Sequence, residues 1–203
     1  MPIEKYCFLD IGGGSEWRPE VLSIKSIDNI SEPRAAKFAR NNPNSECFIF
    51  DIYFPPQIAK QLTLEIPNLY LIQAKLEAST YIPFIQNSMD RVEMNHMFTP
   101  LSADIDLYRK ALWEASRVLK LGGILSLTEK KERIDNILKI LMIQSGQYDT
   151  PLIEMLGMSP DYTITEVTDK NRTLFTSLAF DQRELESTRS DYSVFTLEMK
   201  KRS

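Results

Sequence analysis

Short apolar runs alternate along the chain with segments whose apolar residues recur at helical spacing, the pattern of a parallel sheet covered by helices. A first strand is predicted over Tyr6 to Asp10, opening directly into Gly12, Gly13 and Gly14. A helix then starts near Pro33, a residue suited to a first helical turn, carries Ala35, Ala36, Phe38 and Ala39, and stops at Asn41, Asn42 and Pro43. Cys47 to Asp51 reads as the second strand, Gln57 to Glu65 as a short helix, Leu69 to Gln73 as the third strand and Asp90 to Met94 as the fourth.

Leu107, Ala111, Leu112, Ala115, Val118 and Leu119 recur at helical spacing, with Asp104 and Asp106 at the favourable end and Gly122 just beyond the other. This predicts a helix leading into a fifth strand, Ile124 to Thr128. Ile134, Ile137, Leu138, Leu141 and Met142 then form one apolar stripe, so an amphipathic helix follows. Tyr162 to Val167 and Tyr192 to Met199 alternate as strands do, and a terminal antiparallel pair is expected of them.

Length and composition narrow the class without naming a function. The 203 residues suit one α/β domain, expected to run over 1–203, and no apolar run approaches the roughly 20 residues that span a bilayer. The first residues lack the basic and apolar stretches of a secretory signal, so a soluble, cytoplasmic protein is expected. Cys7 and Cys47 each lie inside a strand-like apolar run, where a reduced thiol packs as a small hydrophobe. A net charge of −4 argues against a nucleic-acid partner, and the basic spot Lys130, Lys131 and Arg133, interrupted by Glu132, reads as a solvated helix face.

Three consecutive glycines after a strand allow the backbone to approach a ligand closely. The nicotinamide fingerprint fits poorly, because counting from Gly12 puts Trp17 where its third glycine belongs. Neither a phosphate loop nor a G-x-S-x-G elbow is present, which removes support for nucleotide hydrolysis and for a serine hydrolase. One histidine and two strand cysteines give no metal-ligand spacing, so no metal site is expected.

At this point a family resemblance adds to the picture. The run FLDIGGGSEW resembles motif I of the class I methyltransferases that use S-adenosylmethionine, and FIFDIYF looks like their second strand with its terminal acid. YIPFIQNSMDRVEMNHMF is similar to the segment entering their fourth strand, and LWEASRVLKLGGILSLTEK to their following helix, turn and fifth strand. The resemblance covers roughly residues 5 to 130 and implies a doubly wound, Rossmann-like α/β sheet of about seven strands with the last antiparallel. It also implies that Asp10 and the Gly12, Gly13 and Gly14 backbone face the methionine and ribose parts of S-adenosylmethionine, while Asp51 accepts the ribose hydroxyls.

The chain departs from the family pattern at three places. Glu16 stands where a third glycine is frequent, and the long interval from Asp10 to Asp51 points to an insertion at 15–32, which leaves Asp28 a rival for the ribose. Near the adenine amino group, where the family often has an acid, this chain has Lys75, which cannot accept the amino hydrogen; Glu77 two residues later is the acid assigned to the cofactor.

His96 follows the fourth strand, where substrate meets cofactor in such sheets, and with an ordinary pKa near 6.5 it is the candidate general base. Its rival role is to fix the loop from Met97 to Leu101 by packing. Residues 144–158 and the insertion near Trp17 are expected to cover the acceptor, with Trp17, Tyr148 and Met155 offering contacts that suit a small molecule or a peptide side chain. Methyl transfer is the function the resemblance implies. Glu16 and Lys75 keep open a methyltransferase-like domain that binds or assembles without catalysis, and the sequence is silent on oligomeric state.

Overall fold

The computed structural model describes residues 5–12, 32–76, 81–95, 97, 105–142, 151–167 and 194–202. Seven strands form one sheet: β1 (Cys7–Ile11), β2 (Glu46–Asp51), β3 (Leu69–Gln73), β4 (Met89–Asn95), β5 (Leu119–Lys130), β6 (Met158–Val167) and β7 (Val194–Lys201). Their spatial order is β3-β2-β1-β4-β5-β7-β6. The first five in this order are parallel, and β7 lies antiparallel between β5 and β6. The expected doubly wound sheet with an antiparallel last strand is thus the observed one.

Local sequence accounts for the helices. Pro33 precedes α1 (Arg34–Asn41), whose Ala35, Ala36 and Ala39 are small enough to seat the helix directly on β1 and β2. Pro56 opens α2 (Pro56–Glu65), where a missing N–H costs nothing, and Ile58 and Leu62 bury its inner face. In α3 (Ile105–Val118) the buried stripe runs through Tyr108, Ala111, Leu112, Ala115 and Val118, and α4 (Lys131–Met142) buries Ile134, Ile137 and Leu141. A single turn, α5 (Leu152–Met155), leads into β6. None of the described helices is long and apolar enough to cross a membrane.

One boundary differs from the sequence reading. Leu119, expected as the last apolar residue of a helix, instead starts β5 and pairs with Met89, after which the register jumps to Arg91 opposite Ile124. The extra residues form a bulge that needs glycine at two positions: Gly122 has φ +78°, and a Cβ on Gly123 would lie 2.9 Å from the Asp90 carbonyl oxygen. Lys201 of β7 closes the end of α3, its Nζ donating to the carbonyls of Ser116 at 2.7 Å and Leu119 at 2.8 Å and to Asn87 Oδ1 at 3.0 Å.

Alternation separates the two faces of the sheet. Leu9, Ile11, Val92, Met94, Leu125, Leu127, Leu197 and Met199 point into the core shared with α3 and α4. The opposite face carries Asp10, Arg91, Glu93, Asn95, Ser126, Thr128, Thr196 and Glu198. Such a polar face on central strands is unusual, since parallel strands covered on both sides normally read as continuous apolar runs.

Candidate functional site

Strand order reverses at β1, which has β2 on one side and β4 on the other, and this reversal opens a crevice at the carboxyl ends of the strands. A cavity of ≈ 230 Å³ lies there. Ile11 and Gly12 form its β1 edge, Phe50, Asp51 and Ile52 its β2 edge, and Ala74, Lys75 and Leu76 the side beyond β3. Met97, just past β4, and Leu107 of α3 complete the lining.

Gly12 is held by its backbone N–H, which donates to the Phe50 carbonyl at 2.9 Å, and its φ of +78° lies where other residues are strained. A Cβ at this position would collide with Met97 Sδ. Asp51 ends β2 on the neighbouring edge, nearly buried but still on the cavity wall, with its carboxylate 3.4 Å from the Tyr53 N–H. The Asp51 carbonyl accepts the Ala74 N–H at 2.9 Å, which ties the Ala74–Leu76 side of the cavity to β2.

Asp10 sits differently from Gly12. Its carboxylate is fully buried and lies on the sheet face under α1, among Arg34, Glu93 and Asn95, instead of on the cavity wall. Asn95 Nδ2 donates to Asp10 Oδ1 at 3.3 Å. Arg34 Nη1 donates to Asn95 Oδ1 at 3.2 Å and reaches Thr128 Oγ1 at 3.4 Å, and Thr128 in turn shares a hydrogen bond with Thr196 at 3.0 Å. The same guanidinium lies 2.8 Å from Glu93 Oε2, an ion pair without the alignment of a hydrogen bond. Burial first, and then the charge of Glu93, push the Asp10 carboxyl up to about 7 against the opposing pull of Arg34, the Ala35 N–H and Asn95.

Of the residues singled out from sequence, Gly12, Asp51 and Lys75 meet on the cavity, and Asp10 stands behind it. Gly13, Gly14, Glu16, Trp17, Asp28, Glu77, His96 and Tyr148 lie outside the described residues. So do residues 144–150 of the expected acceptor cover. The remainder, 151–158, buries Leu152, Ile153 and Leu156 and accepts the Ser116 hydroxyl at the Leu156 carbonyl, which places it by the C-terminal end of α3, on the rim of the sheet away from the cavity. Cys47 is a buried free thiol, which burial pushes up to about 11.

Sequence reading missed Arg34, Glu93 and Asn95. A signal was present: in DRVEMN the charged and amide residues Arg91, Glu93 and Asn95 recur at a period of two, which in a central strand marks a polar face needing partners. Met97 and Leu107 were also missed as cavity residues, because their distance from the glycine turn in sequence hides their closeness in space.

No family model matches the sequence, and no curated protein does either. Solved structures resemble the fold throughout. A TehB-like SAM-dependent methyltransferase from Corynebacterium glutamicum superposes with a TM-score of 0.56 at 12% identity, covering 100% of this chain and 83% of its own. A 30S ribosomal A1408 methyltransferase from an uncultured bacterium gives 0.58 at 15% identity, covering 97% and 88%. An antibiotic-related methyltransferase gives 0.59 at 15% identity, covering 96% and 87%. At these identities the likeness establishes the fold.

Proposed function

Starting from a chain that has the class I methyltransferase fold, we propose that it binds S-adenosylmethionine in the cavity at the ends of β1 and β2 and transfers the methyl group to a small-molecule or peptide acceptor. The observation that carries this reading is the placement of Gly12 and Asp51 on the same cavity from adjacent strands: a bare backbone beside an acceptor-only side chain. Both fit the group. Gly12 leaves space that any side chain would fill, and Asp51 can take two neighbouring ribose hydroxyls.

The cofactor supplies a methyl group already activated by a sulfonium. The protein's part is to bind, orient and exclude water. Phe50, Ile52 and Leu76 give apolar walls for a planar base, and the backbone from Gly12 toward Gly13 and Gly14 would follow the ribose and methionine portions. Glu77, in the segment directly after Leu76, is the acid assigned to the adenine end, since the Lys75 ammonium cannot accept an amino hydrogen. His96, next in the chain after Asn95 at the end of β4, is the candidate base for an acceptor with a poorly acidic proton. The insertion 15–32 and residues 144–150 are assigned to the acceptor side within one domain.

Lys75 on the cavity wall favours a second reading, a methyltransferase-like module that binds or assembles without catalysis. Calorimetric titration with S-adenosylmethionine tests the main proposal. Binding of S-adenosylmethionine or its demethylated product, without comparable affinity for nicotinamide cofactors, supports it; tight nicotinamide binding without S-adenosylmethionine binding would end it.

A further inference from the structure

Three buried polar atoms have no hydrogen-bond partner among the described residues: Asp10 Oδ2, Glu93 Oε2 and Ser126 Oγ. The register places Asp10 opposite Glu93 and Glu93 opposite Ser126, so all three stand in one row across β1, β4 and β5. Buried polar groups are nearly always satisfied; Glu93 Oε2 keeps its ion pair with Arg34, whereas Asp10 Oδ2, directly behind the Gly12 turn, calls for a cause.

Charge balance supplies it. Among the described residues, the ionisable groups on or beside this row are Tyr6 and Asp10 at β1, Asp51 from β2, Arg91 and Glu93 from β4, Arg34 from α1, and Glu198 and Lys200 from β7. Asn95, Ser126, Thr128 and Thr196 add only neutral groups, and the Cys47 thiol of β2, pushed up to about 11, is neutral as well. Glu93 faces both guanidiniums, Arg34 and Arg91. Arg91 is engaged by Glu93 Oε1 at 2.7 Å and Glu198 Oε1 at 2.6 Å, and Arg34 by Glu93 Oε2 at 2.8 Å. The Asp10 carboxyl is held instead by neutral groups, the Asn95 amide at 3.3 Å and the Ala35 N–H.

The geometry points to a proton held between Asp10 and Glu93 when no cofactor is bound, which would be expelled when a cationic cofactor occupies the cavity lined by Gly12. Glu93 is then the positioning residue that sets the charge on Asp10. No covalent bond other than that of the proton changes: the proton passes from the Asp10 carboxyl to buffer, and the cofactor's positive charge takes its place. The buried carboxyl, pushed up to about 7, holds the proton in part at neutral pH. Because the demethylated product lacks the sulfonium charge, it would displace the proton less effectively. This inference rests on the cofactor reading above.

Calorimetric titration of the full chain with S-adenosylmethionine, run at one pH in phosphate and again in Tris, measures the protons exchanged. Release of about half a proton at pH 7, vanishing by about pH 9, is expected, with affinity falling toward tenfold per pH unit below about pH 7. S-adenosylhomocysteine should release fewer. In Glu93→Gln the repelling charge is gone while the burial remains, so release at pH 7 should fall and affinity should depend less steeply on pH between about pH 6 and pH 8. If that variant does not fold, infrared spectroscopy of the wild type decides, through loss of a protonated-carboxyl band when cofactor is added. Binding without proton release, release unchanged in Glu93→Gln, or a carboxyl band that persists overturns this inference alone. Failure to bind at every pH overturns the cofactor reading and this inference with it.

Discussion

Gly12 and Met97 lie against each other on the cavity, so closely that a Cβ on the glycine would occupy the position of the methionine sulfur. The contact joins the end of β1 to the residue just past β4 and makes the glycine a requirement of space as well as of backbone conformation.

Gly12→Ala is therefore expected to abolish measurable cofactor binding and to lower stability by about 1 to 3 kcal/mol, the usual range for a strained backbone position. Denaturant unfolding and calorimetry read the two effects separately. Adding Met97→Ala should relieve the collision but leave the strain of φ +78°, so recovery of stability should be partial. Full recovery would show that the backbone conformation carries no cost.

Asp51→Ala should weaken cofactor binding more than Asp28→Ala, because Asp51 lines the cavity beside Gly12. A charged hydrogen bond contributes about 1.5 to 3 kcal/mol, so a loss of roughly tenfold or more in Kd is expected. The reverse ranking would assign the ribose to Asp28.

The buried Asp10 carboxyl also makes stability depend on pH. Its folded value of about 7 lies above the ordinary value of about 3.9, so the folded state binds the proton more tightly than the unfolded chain does. The stabilisation from the protonated form is complete below about pH 4 and is lost as pH rises through about 7. Asp10→Asn, which keeps the shape without the charge, should gain roughly 2 to 3 kcal/mol relative to wild type between about pH 5 and pH 8. Urea unfolding of both proteins at the two pH values checks it, and an unchanged difference would place the titration elsewhere.

Lys201→Met removes three hydrogen bonds that close the end of α3, on the rim of the sheet away from the cavity. A loss of about 1.5 to 3 kcal/mol in stability is expected, with cofactor affinity unchanged. A drop in affinity would reveal coupling between the two rims.

His96→Asn is expected to lower the melting temperature or cofactor affinity together with activity, as a loop-fixing residue would. A fall in turnover of about 100-fold at unchanged melting temperature and affinity would instead assign it as the base.

Elements were legible because each is encoded locally. The helical stripe through Leu107, Ala111 and Ala115, and the strand Leu69–Gln73 read without error, needed only the spacing of apolar residues. Gly12 and Asp51 could be placed at strand ends for the same reason, and both line the cavity there. Tertiary structure decided the rest. The start of β5 at Leu119 depends on pairing with Met89, a partner thirty residues earlier that no helical or strand period reports. Likewise, Asp10, Glu93 and Ser126 become neighbours only through the register of three parallel strands, and Arg34 meets Glu93 only because α1 packs back across them. A buried charge draws its partners from whatever strand lies beside it, so the protonation of Asp10 is a property of the assembled sheet and has no counterpart in any single segment of the chain.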